Sequence, residues 1–413
     1  MSQATDVKTE GAYRRVWANR EARGLLVAQA TSELGDQMAR VALALLILAE
    51  TDNLVLSALT LAVSFIPGIF GAAILGSLAD RFPRRQVMLA SDLSRFVLVG
   101  LLAVGAALGS SVWALFSLLL VTEFVSMPFQ AARASLYPDV LPDPADFMTA
   151  QGTSRSVHLA TQVIGSVFGA LLVGLINPQF ALAVDAATFL ASYLVLRAMV
   201  RPRPSADSGG TSARRLAADL RRGAGELFGD RVRRSITFLA WGSSVFMVAP
   251  EAVALAYQPG LSSFMGGILL ASVPAGSVVG FVLLRRVPVR DQVRLLLPLA
   301  ALACLPLFAT AINPPPLVAA ALWFVSGMLT AYVITVIALV TMFTARERRG
   351  RVLGVAAAGF NAATVTAFAL AGWLAGFPQL GPARTVSLAG AAGLVMIALL
   401  RASWPTEEIE AAV

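Results

Sequence analysis

The chain has 413 residues, of which 57% are hydrophobic and 14% are charged, and its formal net charge is +8. Soluble domains carry roughly 25% charged residues, and near-continuous apolar runs recur here from Gly24 to Arg401. The composition therefore excludes an ordinary soluble protein and indicates a polytopic, all-α membrane protein. A single histidine, His158, and a single cysteine, Cys304, exclude a multi-histidine metal site and an intrachain disulfide.

Signatures of catalysis are missing from the chain, which contains no GxSxG elbow, no Walker loop and no HExxH pair. We therefore expect neither an enzyme nor a bound cofactor or metal. The polar, basic first 23 residues lack the apolar core of a signal peptide, so we expect the first span to act as the insertion signal.

Breaks at Gly, Pro and charged residues divide the apolar runs into twelve predicted spans of about 20 residues or more, enough to cross a hydrocarbon core of roughly 30 Å. The first six lie at roughly 24–49, 54–78, 86–108, 111–133, 147–175 and 178–199. The second six lie at roughly 235–257, 262–284, 293–312, 316–343, 350–376 and 382–402. The sequence thus predicts an N-terminal six-helix half (1–200), a cytoplasmic basic linker (201–234) and a C-terminal six-helix half (235–413).

The linker and a weak repeat support this division. The stretch "SARRLAADLRRGAGELF" in the linker predicts a short amphipathic helix on the membrane surface, while a solvated basic linker is the alternative for the part before it. The stretches "ARASLYPDVLPDPADFMTAQG" and "VTMFTARERRGRVLGVAAAG" each join the fourth span of a half to the fifth, which indicates two pseudo-symmetric halves.

The placement of arginine predicts the orientation. One side carries Arg14, Arg15, Arg20, Arg23, Arg81, Arg84, Arg85, Arg285, Arg286, Arg290, Arg294, Arg346, Arg348, Arg349 and Arg351. The opposite loops, such as "ETDN", "GSS", "NPQ" and "NPPP", carry neither Arg nor Lys, with Arg384 as the exception. We therefore expect a multi-pass protein of the bacterial inner membrane with both termini cytoplasmic. Its basic residues would face anionic lipid, and we expect no nucleic-acid partner.

The charged stretch "GSLADRFPRR", from Gly76 to Arg85, lies between the second and third spans. It resembles the loop signature G-x-L-x-D-R-x-G-R-R of the major facilitator superfamily, matched at every defined position except that Pro83 replaces the second Gly. The resemblance implies the fold of that family and a conformational latch between its halves, formed when the cytoplasmic side closes. The latch residues would be Gly76, Asp80, Arg81, Arg84, Arg85 and Arg133, with the Asp80 carboxylate facing a helix amino terminus of the other half. For the arginines, plain positive-inside charge is the alternative.

Three further stretches resemble the drug–proton antiporter branch of that family, which includes macrolide efflux proteins and the enterobactin exporter. They are Gly35-Asp36 in the first span, "AARASLYPDVLP" from Ala131 to Pro142, and "DAATFLAS" from Asp185 to Ser192. The resemblance implies export of a compound against proton entry. The antiporter signature of the fifth span is degraded, since "IGSVFGA" lacks its Pro.

Charged residues within the first span are the strongest chemical signal. Glu33, Asp36 and Arg40 are spaced three and four apart, within roughly 60° of helical arc. Asp36 lies roughly 18 Å from the start of the span, where a charge costs several kcal/mol unless it faces a cavity or a partner. We interpret Asp36, then Glu33, as proton-coupling residues tuned by Arg40. A static network of the three is the alternative.

Other ionisable residues in the first half are assigned by position. Glu123, in the middle of the fourth span, would bind a cation or share the proton, or else accept a structural hydrogen bond. Asp92 and Arg95 are expected to form a structural pair with each other or with Arg133. Asp185 and Arg155 are expected to be structural. His158 is expected to pack within a hydrogen bond, with proton relay as the alternative.

The second half is rich in aromatic residues and methionine. We expect its substrate wall to be formed by Trp241, Phe246, Met247, Glu251, Trp323, Met328, Tyr332, Phe360 and Asn361, with Phe368 as a further aromatic. Small-residue pairs at Gly165 and Gly169, Gly276 and Gly280, and Gly372 and Gly376 predict close helix contacts where the halves slide, or simple packing.

These observations predict a monomeric, proton-coupled transporter that exports amphiphilic or hydrophobic compounds by alternating access, of the multidrug type associated with antibiotic resistance. A dedicated exporter of one natural product or siderophore is the first alternative. A transport-inactive membrane receptor or scaffold is the alternative from another class.

Overall fold

The computed structural model describes residues 11–74, 82–203, 213–345 and 348–410, and among these residues every regular element is a helix. After a short helix α1 (11–18), the first half contains α2 (Arg20–Thr51), α3 (Leu54–Ala62), α4 (Ile66–Ile74), α5 (Arg84–Ala107), α6 (Val112–Val140), α7 (Pro144–Leu175) and α8 (Pro178–Met199). The second part contains α9 (Ala213–Gly229), α10 (Arg231–Val253), α11 (Ser263–Leu284), α12 (Val289–Ala309), α13 (Pro316–Leu329), α14 (Tyr332–Met342), α15 (Arg349–Ala375), α16 (Gly381–Ala402) and α17 (Thr406–Glu410). A multi-pass helical membrane protein is confirmed.

Ten helical segments of the described chain are long and apolar enough to cross a membrane. The two other predicted spans do not meet that measure. Helix α2 has 32 residues, which is ample length, but it carries the charged residues of the first span. The second span is described as a shorter apolar segment, Leu54–Phe70, and a 3-10 turn at Val63–Phe65 separates α3 from α4. The predicted number of twelve spans is therefore not reproduced by length and composition.

Helix boundaries follow local capping chemistry. The Asn19 side chain accepts hydrogen bonds from the backbone N–H groups of Glu21 and Ala22 at the start of α2. Asn53, Asp143 and Ser262 cap α3, α7 and α11 in the same way. Each of these side chains satisfies N–H groups that have no partner within the helix, so the chain turns at these points.

Two apolar clusters of the first half leave a polar layer between them. One includes Leu25, Met88 and Phe129, and lies near the end of α8, where the chain leaves toward the linker and α9. We call this side of the molecule the linker face. The other includes Leu43 and Leu119, and lies toward the opposite face. Because the charged residues of α2 fall between Leu25 and Leu43, the fold places them at mid-depth.

Helix α9 packs against the linker-face end of α15, where a Cβ on Gly223 would lie 2.7 Å from the backbone oxygen of Arg351. This helix covers the segment predicted to be amphipathic, so a helix there is confirmed. The part of the linker from 204 to 212 lies outside the described residues.

The two halves touch toward the opposite face. Helices α7 and α11 meet at Gly267, where an added Cβ would lie 2.6 Å from the Ala170 Cβ atom. Helices α3 and α15 meet at Gly372, where an added Cβ would lie 2.9 Å from the backbone oxygen of Leu54. Val41, Ala44 and Leu61 join the main core cluster of the second half, so apolar packing seals this side.

The small-residue pairs were expected where the halves slide, and most of them lie elsewhere. Gly165 and Gly169 approach α2, within the first half, and Gly276 and Gly280 approach the backbone of α13 and its C-terminal end, within the second half. Of these pairs only Gly372 approaches the other half. For the other two pairs the simple-packing alternative describes the contacts, because small residues permit any close helix contact, within a half as well as between halves.

Candidate functional site

A cavity of about 300 Å³ lies between the two halves at the depth of the polar layer. Helices α2, α5, α6 and α7 supply its charged wall, and α4 with the preceding turn contributes Phe65 and Gly68. The facing wall comes from α10, α11 and α15, through Glu251, Leu270, Asn361 and Phe368. Such a volume is at the lower end of small-molecule sites.

The charged residues of α2 that line the cavity pair with residues of neighbouring helices. Arg40 Nη1 donates to Glu123 Oε1 of α6 at 2.9 Å, and its Nη2 donates to Gln37 Oε1 at 2.7 Å. Asp36 accepts from Arg95 of α5. All of these side chains line the cavity. The alternative in which Glu33 and Asp36 pair with Arg40 is therefore not what the structure shows.

Glu33 has two basic neighbours at the cavity. Its Oε1 lies 3.4 Å from Arg133 Nη1, and its Oε2 lies 3.2 Å from His158 Nδ1. The His158 side chain is 47% exposed. His158 thus reaches a carboxylate at the cavity surface, so both roles considered for it, hydrogen-bonded packing and proton relay, remain compatible with its position.

Arg95 and Asp92 do not form the pair expected from their spacing. Arg95 turns to Asp36 instead, and the Asp92 Oδ2 atom accepts a hydrogen bond from Ser192 Oγ at 2.6 Å. Both residues are almost fully buried. A spacing of three places Asp92 and Arg95 side by side on α5, but their contacts are made with residues of α2 and α8.

The Gly35-Asp36 stretch and the "DAATFLAS" stretch, noted separately in the sequence, lie in contact. A Cβ on Gly35 would lie 2.2 Å from Asp185 Oδ1 and 2.1 Å from Thr188 Oγ1, so only glycine permits this approach of α2 to α8. Thr188 Oγ1 also donates to the backbone oxygen of Asp185 at 2.7 Å. The Asp and the Thr of "DAATFLAS" thus lie against α2 at Gly35, and its Phe and Ser contact Arg95 and Asp92 of α5.

The residues proposed for the substrate wall divide between cavity and core. Glu251 and Asn361 line the cavity. Phe246, Trp323 and Tyr332 are fully buried in the core of the second half.

The remaining members of that set lie in helix contacts. Trp241 donates from Nε1 to the backbone oxygen of Ala356 at 2.9 Å, and the Met328 backbone lies against α11. Met247 and Phe360 are partly buried against the same core. Apolar patterning in a membrane helix does not distinguish a cavity wall from a core, because lipid-facing, core and cavity positions are all apolar.

Of the proposed latch, Gly76, Asp80 and Arg81 lie outside the described residues. The partners of the other three belong to the first half. Arg84 pairs with Asp139 and donates to the backbone oxygen of Ser135. Arg85 donates to the backbone oxygen of Arg197 at 2.9 Å, and Arg133 contacts Glu33. The latch therefore stays a prediction that depends on Asp80.

Sequence reasoning missed Arg95 and the glutamines as cavity residues. Arg95, Gln37, Gln130 and Gln162 all line the cavity. An arginine inside an apolar run was the available signal, because a buried guanidinium needs an anionic partner. Among the described residues, no group of three or more His, Cys, Asp or Glu side chains is placed to hold a metal ion.

The Major Facilitator Superfamily family model matches residues 25–338 of the chain. The protein named "Uncharacterized MFS-type transporter YfiS", from Bacillus subtilis (strain 168), is 27% identical over 173 residues. Those residues are 42% of this chain and 40% of that relative, so the chain matches less than half of the relative's length.

Solved structures share the fold at low identity. The nucleoside transporter NupG superposes with a TM-score of 0.70 at 15% identity, over 93% of this chain and 99% of that one. A bacterial homologue of the iron transporter ferroportin in an inward-facing state gives 0.67 at 17% identity, over 94% and 98%. At this identity the likeness concerns the fold alone.

Proposed function

The chain belongs to the Major Facilitator Superfamily, a family of multi-pass secondary transporters, and from that membership we propose that it couples proton entry to export of amphiphilic or hydrophobic compounds. The observation that carries the proposal is the set of ion pairs that α2 makes with neighbouring helices in the charged wall of the cavity. Asp36, Glu33 and Arg40 each bind a partner on another helix. Proton coupling needs carboxylates on the translocation path, and Glu33, Asp36 and Glu123 line the cavity between the halves, which supports the proposal.

Asp36 is the proposed first proton acceptor. Its partner Arg95 is 2% exposed at the side chain, whereas the Asp36 side chain is 15% exposed and lines the cavity. A proton arriving from the cavity reaches the carboxylate directly, and neutralising it removes the attraction that holds α2 to α5. Glu33 and Glu123 are the next candidates, since each also lines the cavity beside a base.

The cavity suits a compound with both polar and apolar parts. One wall presents Asp36, Glu123 and Gln37, while Leu61, Phe65, Leu270 and Phe368 supply apolar surface. Burial of apolar surface contributes about 25 cal/mol per Å² without requiring a specific hydrogen-bond pattern. The proposal is therefore a drug-sized amphiphile exported by the rocking of the two halves, in a bacterial inner membrane with both termini cytoplasmic.

Proton flux in proteoliposomes tests the proposal. Purified protein is reconstituted with a pH-sensitive dye inside and challenged with a panel of lipophilic compounds. We expect substrate-dependent proton movement in the wild type, its loss in Asp36→Asn, and its retention in Glu50→Gln, which removes an exposed carboxylate at the far end of α2. Full proton-driven transport by Asp36→Asn would move the coupling role to Glu33 or Glu123.

The same panel separates the alternatives. Response to one compound class alone favours a dedicated exporter of a natural product or siderophore. A transport-inactive receptor or scaffold gives no flux with any compound, and that result would refute the proposal. Nucleosides and metal ions, named for proteins of similar fold, belong in the panel as competing substrate classes.

A further inference from the structure

Among the described residues that line the cavity, Glu251 is the carboxylate without a partner. It lies on α10 directly after Pro250, lines the cavity, and makes no side-chain hydrogen bond or ion pair with any described residue. The carboxylates on the other wall differ, because Glu33, Asp36 and Glu123 each have a guanidinium partner. A charge at membrane depth without a partner is costly, so such a group is expected to meet its counter-charge in a ligand.

The charge balance of the cavity points the same way. Its described lining contains four carboxylates, Glu33, Asp36, Glu123 and Glu251, against three guanidinium groups, Arg40, Arg95 and Arg133. The three ion pairs use all of the guanidinium groups. The carboxylate left without a guanidinium partner is Glu251, and a ligand carrying a single positive charge would pair with it.

Aromatic rings in the same cavity indicate the kind of cation. Phe65 and Phe368 both line it, and their ring centroids lie 6.3 Å apart at an interplanar angle of 33°. Phe65 belongs to the first half and Phe368 to the second, so the pair spans the interface at the cavity that Glu251 also lines. Ring faces attract organic ammonium groups within about 6 Å of their centroids. They offer no comparable advantage to a hydrated metal ion.

We propose that Glu251, with the Phe65–Phe368 pair, forms a binding subsite for a singly charged organic ammonium group of the transported compound. The subsite rests on the proposed function and deepens it, since it assigns the substrate a protonated amine or a quaternary ammonium. The Asn361 amide lies against Gly68 and lines the same cavity.

Equilibrium binding to the purified full-length protein tests the subsite. The probes are radiolabelled benzyltrimethylammonium and, by competition, its neutral isostere neopentylbenzene. We expect the wild type to bind the cation at least tenfold more tightly than the isostere. Glu251→Gln should weaken binding of the cation at least tenfold and that of the isostere less than twofold. The matched control Glu50→Gln should change neither.

A separate variant tests the aromatic part of the subsite. Phe65→Leu should weaken cation binding several-fold more than isostere binding, whereas Phe180→Leu, at a residue 43% exposed on the outer surface, should change neither. Glu251→Asp keeps the charge and should bind the cation more tightly than Glu251→Gln, which guards against a general folding defect.

Two results would overturn the subsite: equal wild-type affinity for cation and isostere, or unchanged cation affinity in Glu251→Gln. Neither outcome depends on proton flux. A protein that binds the cation through Glu251 but moves no protons would refute the proposed function and keep the subsite.

Discussion

The guanidinium carbon of Arg95 lies 4.0 Å from the centroid of the Phe189 ring. The same guanidinium pairs with Asp36, so one side chain ties α5 to both α8 and α2. Its charge is held by an anion on one side and an aromatic face on the other, in a site that water hardly reaches. Helix α2 is thereby anchored at the depth where its charges face the cavity.

Breaking this pair should destabilise the protein and uncouple it. Asp36→Asn leaves a buried guanidinium without its anion, which costs about 3–5 kcal/mol in comparable buried pairs. The double variant Asp36→Asn/Arg95→Gln should recover most of that loss while transport stays uncoupled. Thermal unfolding in detergent, read as a double-mutant cycle, measures the coupling. Additive losses from the two single changes would mean that the pair contributes no interaction energy.

The close contact of Gly35 with α8 predicts that a larger side chain at this position would destabilise the packing of α2 against α8. Gly35→Ala places a methyl group against Asp185 and Thr188, and overpacking of a filled site typically costs about 1–3 kcal/mol. Gly100→Ala is the matched control, because nothing lies within 4 Å of its added Cβ, and alanine is the better helix former by about 1 kcal/mol. Equal melting temperatures for the two variants would show that α2 and α8 do not pack at Gly35.

Sequence reasoning located the charged layer but not its pairing. The spacing of Glu33, Asp36 and Arg40 predicted a common face, because helical geometry alone determines which residues share a face. Their ion-pair partners come from α5 and α6, and His158 of α7 also contacts Glu33. Which helix supplies a partner depends on tertiary packing, which local periodicity does not encode. Asp92 and Arg95 were wrongly paired for that reason.

The family fold followed from span lengths and the loop signature, since hydropathy reports membrane burial directly. The residues of the substrate wall could not be predicted from hydropathy in the same way. Trp323 and Glu251 were assigned together, yet the structure places Trp323 in the core and Glu251 at the cavity. A charge in an apolar run identifies a cavity position more reliably than an aromatic residue does, because only the charge is costly against lipid.

Membrane orientation can be tested with single cysteines. Cys304 is buried, so Cys304→Ala gives a background free of thiols. Arg221→Cys, exposed on α9, should react only from the cytoplasm, and Ala311→Cys, exposed after α12, should react from outside intact cells. These results follow from the excess of arginine on the linker face. Labelling of Arg221→Cys by an impermeant reagent in intact cells would overturn the orientation.

One prediction about the proposed latch follows from the loop signature. Asp80→Asn should favour states open on the cytoplasmic side, by removing a charge–dipole contact worth roughly 0.3–2 kcal/mol. A change of 1.4 kcal/mol shifts a ratio of two states about tenfold, which would appear as faster modification of cysteines near the linker face. Unchanged rates at every probe position would show that the carboxylate has no latching role.

A variant of Trp323 should change stability without changing substrate binding. It is fully buried, and its ring centroid lies 5.4 Å from that of Tyr257 in an edge-to-face contact. Trp323→Ala should therefore cost about 3–5 kcal/mol of unfolding free energy, while the molecules that remain folded keep their affinity for benzyltrimethylammonium. Trp323→Phe should be milder, because the indole N–H has no hydrogen-bond partner among the described residues. Trp113→Ala, at a tryptophan 66% exposed, is the matched control and should barely change the melting temperature. A loss of affinity in Trp323→Ala without a loss of stability would place this ring in the binding site after all.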